Sequence, residues 1–95
     1  MSNAYFVGQI TVKDVAKWDE YRSKVPDTLA AWGAELVFRG KQTHVHPGGS
    51  PHLHIVVIRF ASLTDAQAWH DSDAYQALIP LRLEAADVMG TTYEA

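Results

Sequence analysis

The chain contains no cysteine, which excludes disulfides, thiol nucleophiles and thiolate metal sites. Its eight Lys and Arg residues are scattered and outnumbered by eleven Asp and Glu, so the basic stripe of a nucleic-acid-binding protein is missing. No apolar run approaches the roughly 20 residues of a membrane-spanning helix. The first residues lack the basic and apolar regions of a signal peptide. We therefore expect a cytoplasmic protein with neither nucleic acid nor membrane as a partner.

The remaining composition is that of an ordinary globular protein, with 47% hydrophobic and 20% charged residues in a chain of 95. This length predicts a single domain over residues 1–95. A chain of this size buries only about two-thirds of its unfolded surface. An interface with a second copy would therefore add useful burial.

Four segments rich in β-branched and aromatic residues predict strands at 4–12, 35–46, 52–60 and 88–93. A turn rich in proline and glycine, residues 47–51, separates the second strand from the third. Helical spacing of apolar residues fills the gaps after the first and third strands. The order βαββαβ predicts an α+β, ferredoxin-like fold with an antiparallel sheet and its helices on one face.

Helix boundaries follow from capping residues and prolines. Pro26 is expected to interrupt the first helix, and Gly33 to end it in a left-handed conformation. Pro80 should kink the last helical segment or mark a restart. Three residues are predicted N-caps: Asp14, Ser62 and Ser72.

Strand alternation predicts that both faces of the sheet are apolar. The helix-covered core should contain Phe6, Ile10, Leu36, Phe38, Val56, Ile58 and Phe60. The opposite face should contain Tyr5, Val7, Gln9, Val37, Arg39, Val45, Leu53, Ile55, Val57 and Arg59. This second face is too apolar to remain in water, so we expect it to pack against the same face of a second copy in a homodimer.

An ordered set of residues in these elements resembles the domain of unknown function 1330 family. The set comprises Arg39-Gly40, the Val56-Val57-Ile58 run into Phe60 and Ser62, Ala66-Gln67-Ala68-Trp69, Asp71-Ser72 before Tyr75, and Arg82. The resemblance implies a dimeric α/β barrel, in which two ferredoxin-like sheets pack face to face. The family has no established activity, and its superfamily includes small monooxygenases, haem-degrading enzymes, isomerases and ligand-binding modules. This chain departs from the family in carrying Arg59 where Glu is usual.

Four histidines flank the predicted hairpin turn. If residues 47–51 form the loop, His46 faces His52 and His44 faces His54, with all four on one side of the sheet. Such a group could ligate Zn or Ni. The alternative is a solvated hairpin tip, in which the metal binding is adventitious. A register slip of one residue would also separate the two pairs.

The same register places Arg39 opposite Arg59 on the face predicted to meet the partner sheet. Two guanidinium groups in an apolar cavity would suit a carboxylate or phosphate. Tyr5 and Gln9 share that face and could orient such a ligand. A bulge near Gly40 would reverse the facing of Arg39 and undo this arrangement.

A carboxylate of the partner subunit, from Glu35 or Glu94, could also lie between the two arginines in place of a bound anion. A simpler alternative is that Arg59 extends to the rim and pairs with an acid at the interface. The sequence thus predicts a small dimeric barrel protein that binds an anionic organic molecule between its two sheets. Such a protein could also be a cofactor-independent enzyme, although no catalytic residue can be named. The other functions left open are a His-rich metal-binding module and a non-catalytic dimeric or stress-related protein.

Overall fold

A computed structural model of the chain describes residues 3–95, so the first two residues of the predicted domain lie outside the described part. The strands are β1 (Ala4–Val12), β2 (Glu35–Lys41), β3 (His54–Phe60) and β4 (Ala86–Glu94). The helices are α1 (Val15–Leu29), α2 (Leu63–Asp71), α3 (Asp73–Gln76) and α4 (Ile79–Ala85). The strands form one antiparallel sheet in the order β2-β3-β1-β4. This confirms the predicted α+β ferredoxin-like fold.

Side-chain caps begin the two longest helices as the sequence predicts. The Asp14 carboxylate accepts a hydrogen bond from the Lys17 amide at 3.1 Å, and the Ser62 hydroxyl accepts one from the Asp65 amide at 3.1 Å. Each bond satisfies an amide that has no partner within the helix. Among the described residues, no helix is long and apolar enough to cross a membrane.

The predicted interruption at Pro26 is wrong, because α1 continues through it to Leu29 and ends in a 3-10 turn, Ala30–Trp32. The proline has no N–H, so the helix continues without the usual bond to the Arg22 carbonyl. Gly33 follows at φ 60°, the predicted left-handed stop. Pro80 lies in the first turn of α4, which confirms a restart there.

The core lies between the helices and the sheet surface that we call the covered face. Trp69 and Tyr75 are each 1% exposed, and their ring centroids are 4.3 Å apart. Phe6 meets the edge of Trp69 at 5.5 Å. A Cβ on Gly90 would approach the Phe6 ring to 2.9 Å, so this strand position must be glycine for the aromatic packing to form.

The faces predicted from strand alternation are correct for β1 and β3 but wrong for part of β2. Leu36 pairs with Ile58, yet Phe38 pairs with Val57, because a bulge at position 37 inserts one extra residue. The bulge moves Phe38 out of the predicted core and onto the open face, our name for the sheet surface opposite the helices. It also moves Arg39 from the open face to the covered face, where it pairs with Val56.

The histidine hairpin also departs from its predicted register. β2 ends at Lys41, which pairs with His54, and residues 42–53 form a long loop. His44 therefore does not face His54, and His46 does not face His52 in a strand pair. Gly48 adopts φ 82° in the loop, as the proline- and glycine-rich composition of residues 47–51 indicates.

Candidate functional site

A small, partly enclosed cavity lies between α1, α2, α3 and the covered face, and we call it the closed cavity because it is the more enclosed of two adjoining spaces. Its volume is about 30 Å³, room for at least one water molecule. The walls are mostly apolar and aromatic, with Phe6, Ile10, Trp18, Tyr21, Arg22, Val25, Arg39, Val56, Ile58, Trp69, Tyr75 and Val88 lining it. A cavity of this size has room for a small group.

A chain of hydrogen bonds crosses the wall of this closed cavity. The Arg82 guanidinium donates to the Tyr75 hydroxyl at 2.8 Å, and the Tyr75 and Tyr21 hydroxyl oxygens are 2.9 Å apart. Burial, followed by the neighbouring Tyr75, raises the pKa of Tyr21 far above its usual value of 10.0. Tyr21 therefore stays protonated and neutral at any physiological pH.

A second buried bond fixes the tryptophan of the wall. The Trp69 indole N–H donates to the Thr28 hydroxyl at 3.0 Å, and Thr28 donates to the Val25 carbonyl at 2.7 Å. Within residues 3–95, no buried side-chain nitrogen or oxygen lacks a hydrogen-bond partner. Each buried polar side-chain atom of the wall therefore has at least one hydrogen-bond partner inside an apolar core.

The closed cavity adjoins a larger groove of about 270 Å³. We call this the open groove. Ile10, Trp18, Arg22 and Arg39 line both spaces. The remaining residues that line the groove are Val12, Val15, Asp19, Gly40, His54 and Ile55. Together the two spaces form a wide compartment for the body of a ligand and a narrow end for one small group.

Two arginines converge where the closed cavity meets the open groove. Arg22 follows Tyr21 on α1, and the bulge in β2 turns Arg39 toward it. Partial burial, followed by the positive charge of Arg22, lowers the pKa of Arg39, while Tyr21 opposes this effect. Among the described residues, neither arginine forms a salt bridge with a carboxylate. Two like charges therefore lie together without a carboxylate ion pair.

The structure does not bring together the four residues predicted to bind the ligand. Tyr5, Gln9 and Arg59 lie on the open face as predicted, with Tyr5 opposite Arg59. Arg39 lies on the other side of the sheet, so the predicted pairing of the two arginines is wrong. Arg59 instead donates to Glu35 at 2.9 Å, a bond that raises the pKa of Arg59. This ion pair is the alternative that the sequence left open, formed within one chain.

The histidines are also dispersed. His54 lines the open groove, and the His52 Nδ1 atom lies 2.8 Å from the Thr11 hydroxyl oxygen. His44 and His46 lie in the exposed loop. In the part of the chain that is described, no three His, Asp or Glu side chains are grouped so that they could hold a metal ion. The register on which the metal prediction depends is therefore wrong.

Sequence reasoning did not identify Arg22, Tyr21, Tyr75 or Arg82 as site residues. One signal was present: Arg22 lies in the apolar stripe of α1, one residue after the buried Tyr21. A charged residue in such a stripe marks the boundary between core and solvent. The hydrogen bonds among the other three join α1, α3 and α4, and no sequence spacing predicts them.

Solved structures share this fold at low sequence identity. SnoaB, a cofactor-independent oxygenase from Streptomyces nogalater, matches with a TM-score of 0.73 at 8% identity, covering 100% of this chain and 94% of its own. A dabb family protein from Mesorhizobium loti with a ferredoxin-like fold matches with a TM-score of 0.72 at 12% identity, covering 98% and 96%. A dimeric protein of unknown function from Bacteroides fragilis matches with a TM-score of 0.66 at 11% identity, covering 98% and 96%.

These identities establish a common fold and nothing more about activity. The neighbours are ferredoxin-like proteins of the dimeric α/β-barrel type, as the sequence resemblance implied. No curated protein matches the chain. The domain of unknown function DUF1330 matches residues 3–93, nearly the whole length, and the chain therefore belongs to the DUF1330 family.

Proposed function

We propose that this protein binds a small anionic organic molecule in the open groove, with the acidic group held by Arg22 and Arg39. One observation carries the proposal: two guanidinium groups line one groove, and neither has a carboxylate partner among residues 3–95. Their mutual repulsion contributes to the lowered pKa of Arg39. An anion between them would relieve this repulsion and could accept paired hydrogen bonds from each guanidinium.

The rest of the groove favours a ligand with an apolar body. Trp18 and Ile10 form its inner wall, and Val12 and Val15 extend it toward solvent. Asp19 contributes one negative charge against the two arginines, so the groove keeps a positive excess. A small carboxylic acid with a hydrophobic or aromatic part has the matching charge and surface.

This location differs from the one predicted from sequence. The prediction placed the ligand between two sheets, because Arg39 and Arg59 were assigned to one face. The bulge in β2 turns Arg39 toward the helices. The proposed site therefore lies between α1 and the covered face of a single subunit.

The proposal includes a homodimer formed through the open face. Val7, Ile55 and Val57 lie along its centre, and Phe38 beside them is 48% exposed. The structurally similar protein from Bacteroides fragilis is described as dimeric. Packing two such faces would bury apolar surface that one subunit leaves in water.

SnoaB is a cofactor-independent oxygenase, but at 8% identity it supports no assignment of that activity here. Within the described chain, the closed cavity is lined by tyrosines, arginines and apolar residues, with neither a carboxylate nor an imidazole. The open groove, where the ligand is proposed to bind, does contain a carboxylate and an imidazole, Asp19 and His54. The proposal is for binding alone, and no reaction is assigned.

Thermal unfolding with benzoate tests the proposal. At a free benzoate concentration ten times its Kd, stabilisation should be about 1.4 kcal/mol, which raises the Tm by roughly 6–10 °C for a domain of this size. Benzamide, which lacks the charge, should give a much smaller shift.

Matched variants test which arginines are needed for the benzoate-induced rise in Tm. Arg22→Gln and Arg39→Gln should each abolish the benzoate shift, whereas Arg59→Gln on the open face should preserve it. The proposal fails if wild-type protein shows no shift at constant ionic strength, or if all three variants respond alike.

A further inference from the structure

We infer that the closed end of the site holds a hydrogen-bond donor, the Tyr21 hydroxyl, and that the ligand is an oxygen-bearing acid whose carbonyl or similar acceptor enters the closed cavity. This inference rests on the proposed function and defines the ligand class more narrowly. It depends on the direction of the hydrogen bonds in the wall and on the size of the closed cavity.

The direction starts at Arg82, because a guanidinium can only donate. Its Nη1 atom is 2.8 Å from the Tyr75 oxygen, which must therefore accept. Tyr75 is 1% exposed, and within residues 3–95 its hydroxyl has one further contact, the Tyr21 oxygen at 2.9 Å. The Tyr75 proton must point to Tyr21, since any other direction would leave it buried without an acceptor.

This arrangement uses the Tyr21 oxygen as an acceptor and leaves the Tyr21 proton free. The Tyr21 side chain lines the closed cavity, so the cavity is where its proton can find an acceptor. Each donor in the chain also strengthens the next, because a hydroxyl that accepts a bond from a cation becomes a better donor. The Arg82–Tyr75–Tyr21 chain therefore delivers a polarised donor into an otherwise apolar end of the site.

The two spaces differ in size. The closed cavity, at about 30 Å³, is the smaller one and suits a small acceptor group. The open groove of about 270 Å³ holds the body of the ligand. Because Arg22 and Arg39 line both spaces, an acid bound to them can extend an acceptor oxygen past Trp18 toward Tyr21.

Paired benzoates test this inference. Affinities of the ortho, meta and para formylbenzoates are measured by calorimetry against the methylbenzoate of the same substitution, which fills a similar volume without an acceptor. One formyl isomer should bind about three- to tenfold more tightly than its methyl counterpart, the range of a single neutral hydrogen bond. The ring position of that isomer then reports the distance between the arginines and Tyr21.

Tyr21→Phe should remove this preference while leaving the affinity for the methylbenzoate unchanged. Tyr93→Phe on the open face is the matched control and should keep the preference. If Tyr21→Phe does not fold, the wild-type comparison of the paired acids still decides. Formyl and methyl acids that bind equally would overturn the inference and leave the proposed function intact, as would a preference that survives in Tyr21→Phe. If no benzoate binds at all, the proposed function fails and the inference falls with it.

Discussion

The two faces of the sheet are built from the same strands, but the helices cover only one of them. On β3, Val56, Ile58 and Phe60 point to the covered face and are at most 9% exposed. The alternate residues Val57 and Arg59 point to the open face and remain half-buried. The helices of the described chain cover one side only, so one face is completed within the subunit and the other is the face that the proposed homodimer would cover.

Arg39 and Arg59 lie on different faces, although the strand register predicted from sequence would have paired them. Arg59 on the open face has a carboxylate partner, Glu35. Arg39 on the covered face has a second arginine, Arg22, as its charged neighbour. A surface ion pair contributes little to stability or specificity, whereas two like charges beside a cavity favour an anionic ligand. In the proposed function, the covered face therefore carries the binding site and the open face carries the dimer interface.

The largest effect is expected from a substitution in the core beneath the covered face. Trp69→Ala removes a side chain that is 1% exposed and packs against three aromatic rings. It should lower the free energy of unfolding by about 3–5 kcal/mol, as measured by urea denaturation. Leu83→Ala on α4, where the side chain is 60% exposed, should cost far less. Equal losses would show that burial against the covered face does not set the cost.

The next largest effect is expected from a charged substitution on the open face. Val57→Asp places a carboxylate at the centre of the proposed dimer interface, where its lost hydration should weaken association by at least about 3 kcal/mol. Sedimentation at micromolar concentration should show a dimer for the wild type and a monomer for the variant. Leu83→Asp, at a 60% exposed position on α4, should remain dimeric. A monomeric wild type would contradict the proposed interface.

The smallest effect is expected at alkaline pH and concerns Tyr21, which is buried beneath the covered face. The folded protein raises the pKa of Tyr21 above its unfolded value of 10.0, so above pH 10 the unfolded chain loses a proton that the folded chain keeps. The stabilisation is therefore fully present below pH 10 and is lost as pH rises, with a slope approaching about 1.4 kcal/mol per pH unit.

Urea denaturation between pH 9 and pH 11.5 measures that slope. Tyr21→Phe should flatten it by the contribution of one proton. A wild-type slope in Tyr21→Phe would mean that Tyr21 ionises as readily in the folded state as in the unfolded chain.

Local sequence determined much of the fold. Asp14, Ser62 and Ser72 cap helices where predicted, Gly33 ends the first helical region, and alternation assigns both faces of β1 and β3. These features depend on neighbours a few residues apart, so the pattern of one chain contains them. The family resemblance was also visible in the residues and is confirmed over 3–93.

Tertiary structure alone decided the site. A single inserted residue at Val37 exchanges the faces of Phe38 and Arg39, and β2 ends before the histidines can pair. Whether a strand bulges depends on its fit to the neighbouring strand, so the alternation of residues within the strand does not predict the bulge. Likewise Arg22, Tyr21 and Arg39 meet only because α1 packs on β2, and Tyr75 and Arg82 join them from other helices. The sequence set which residues could form strands and helices, while long-range packing decided which charges share a cavity.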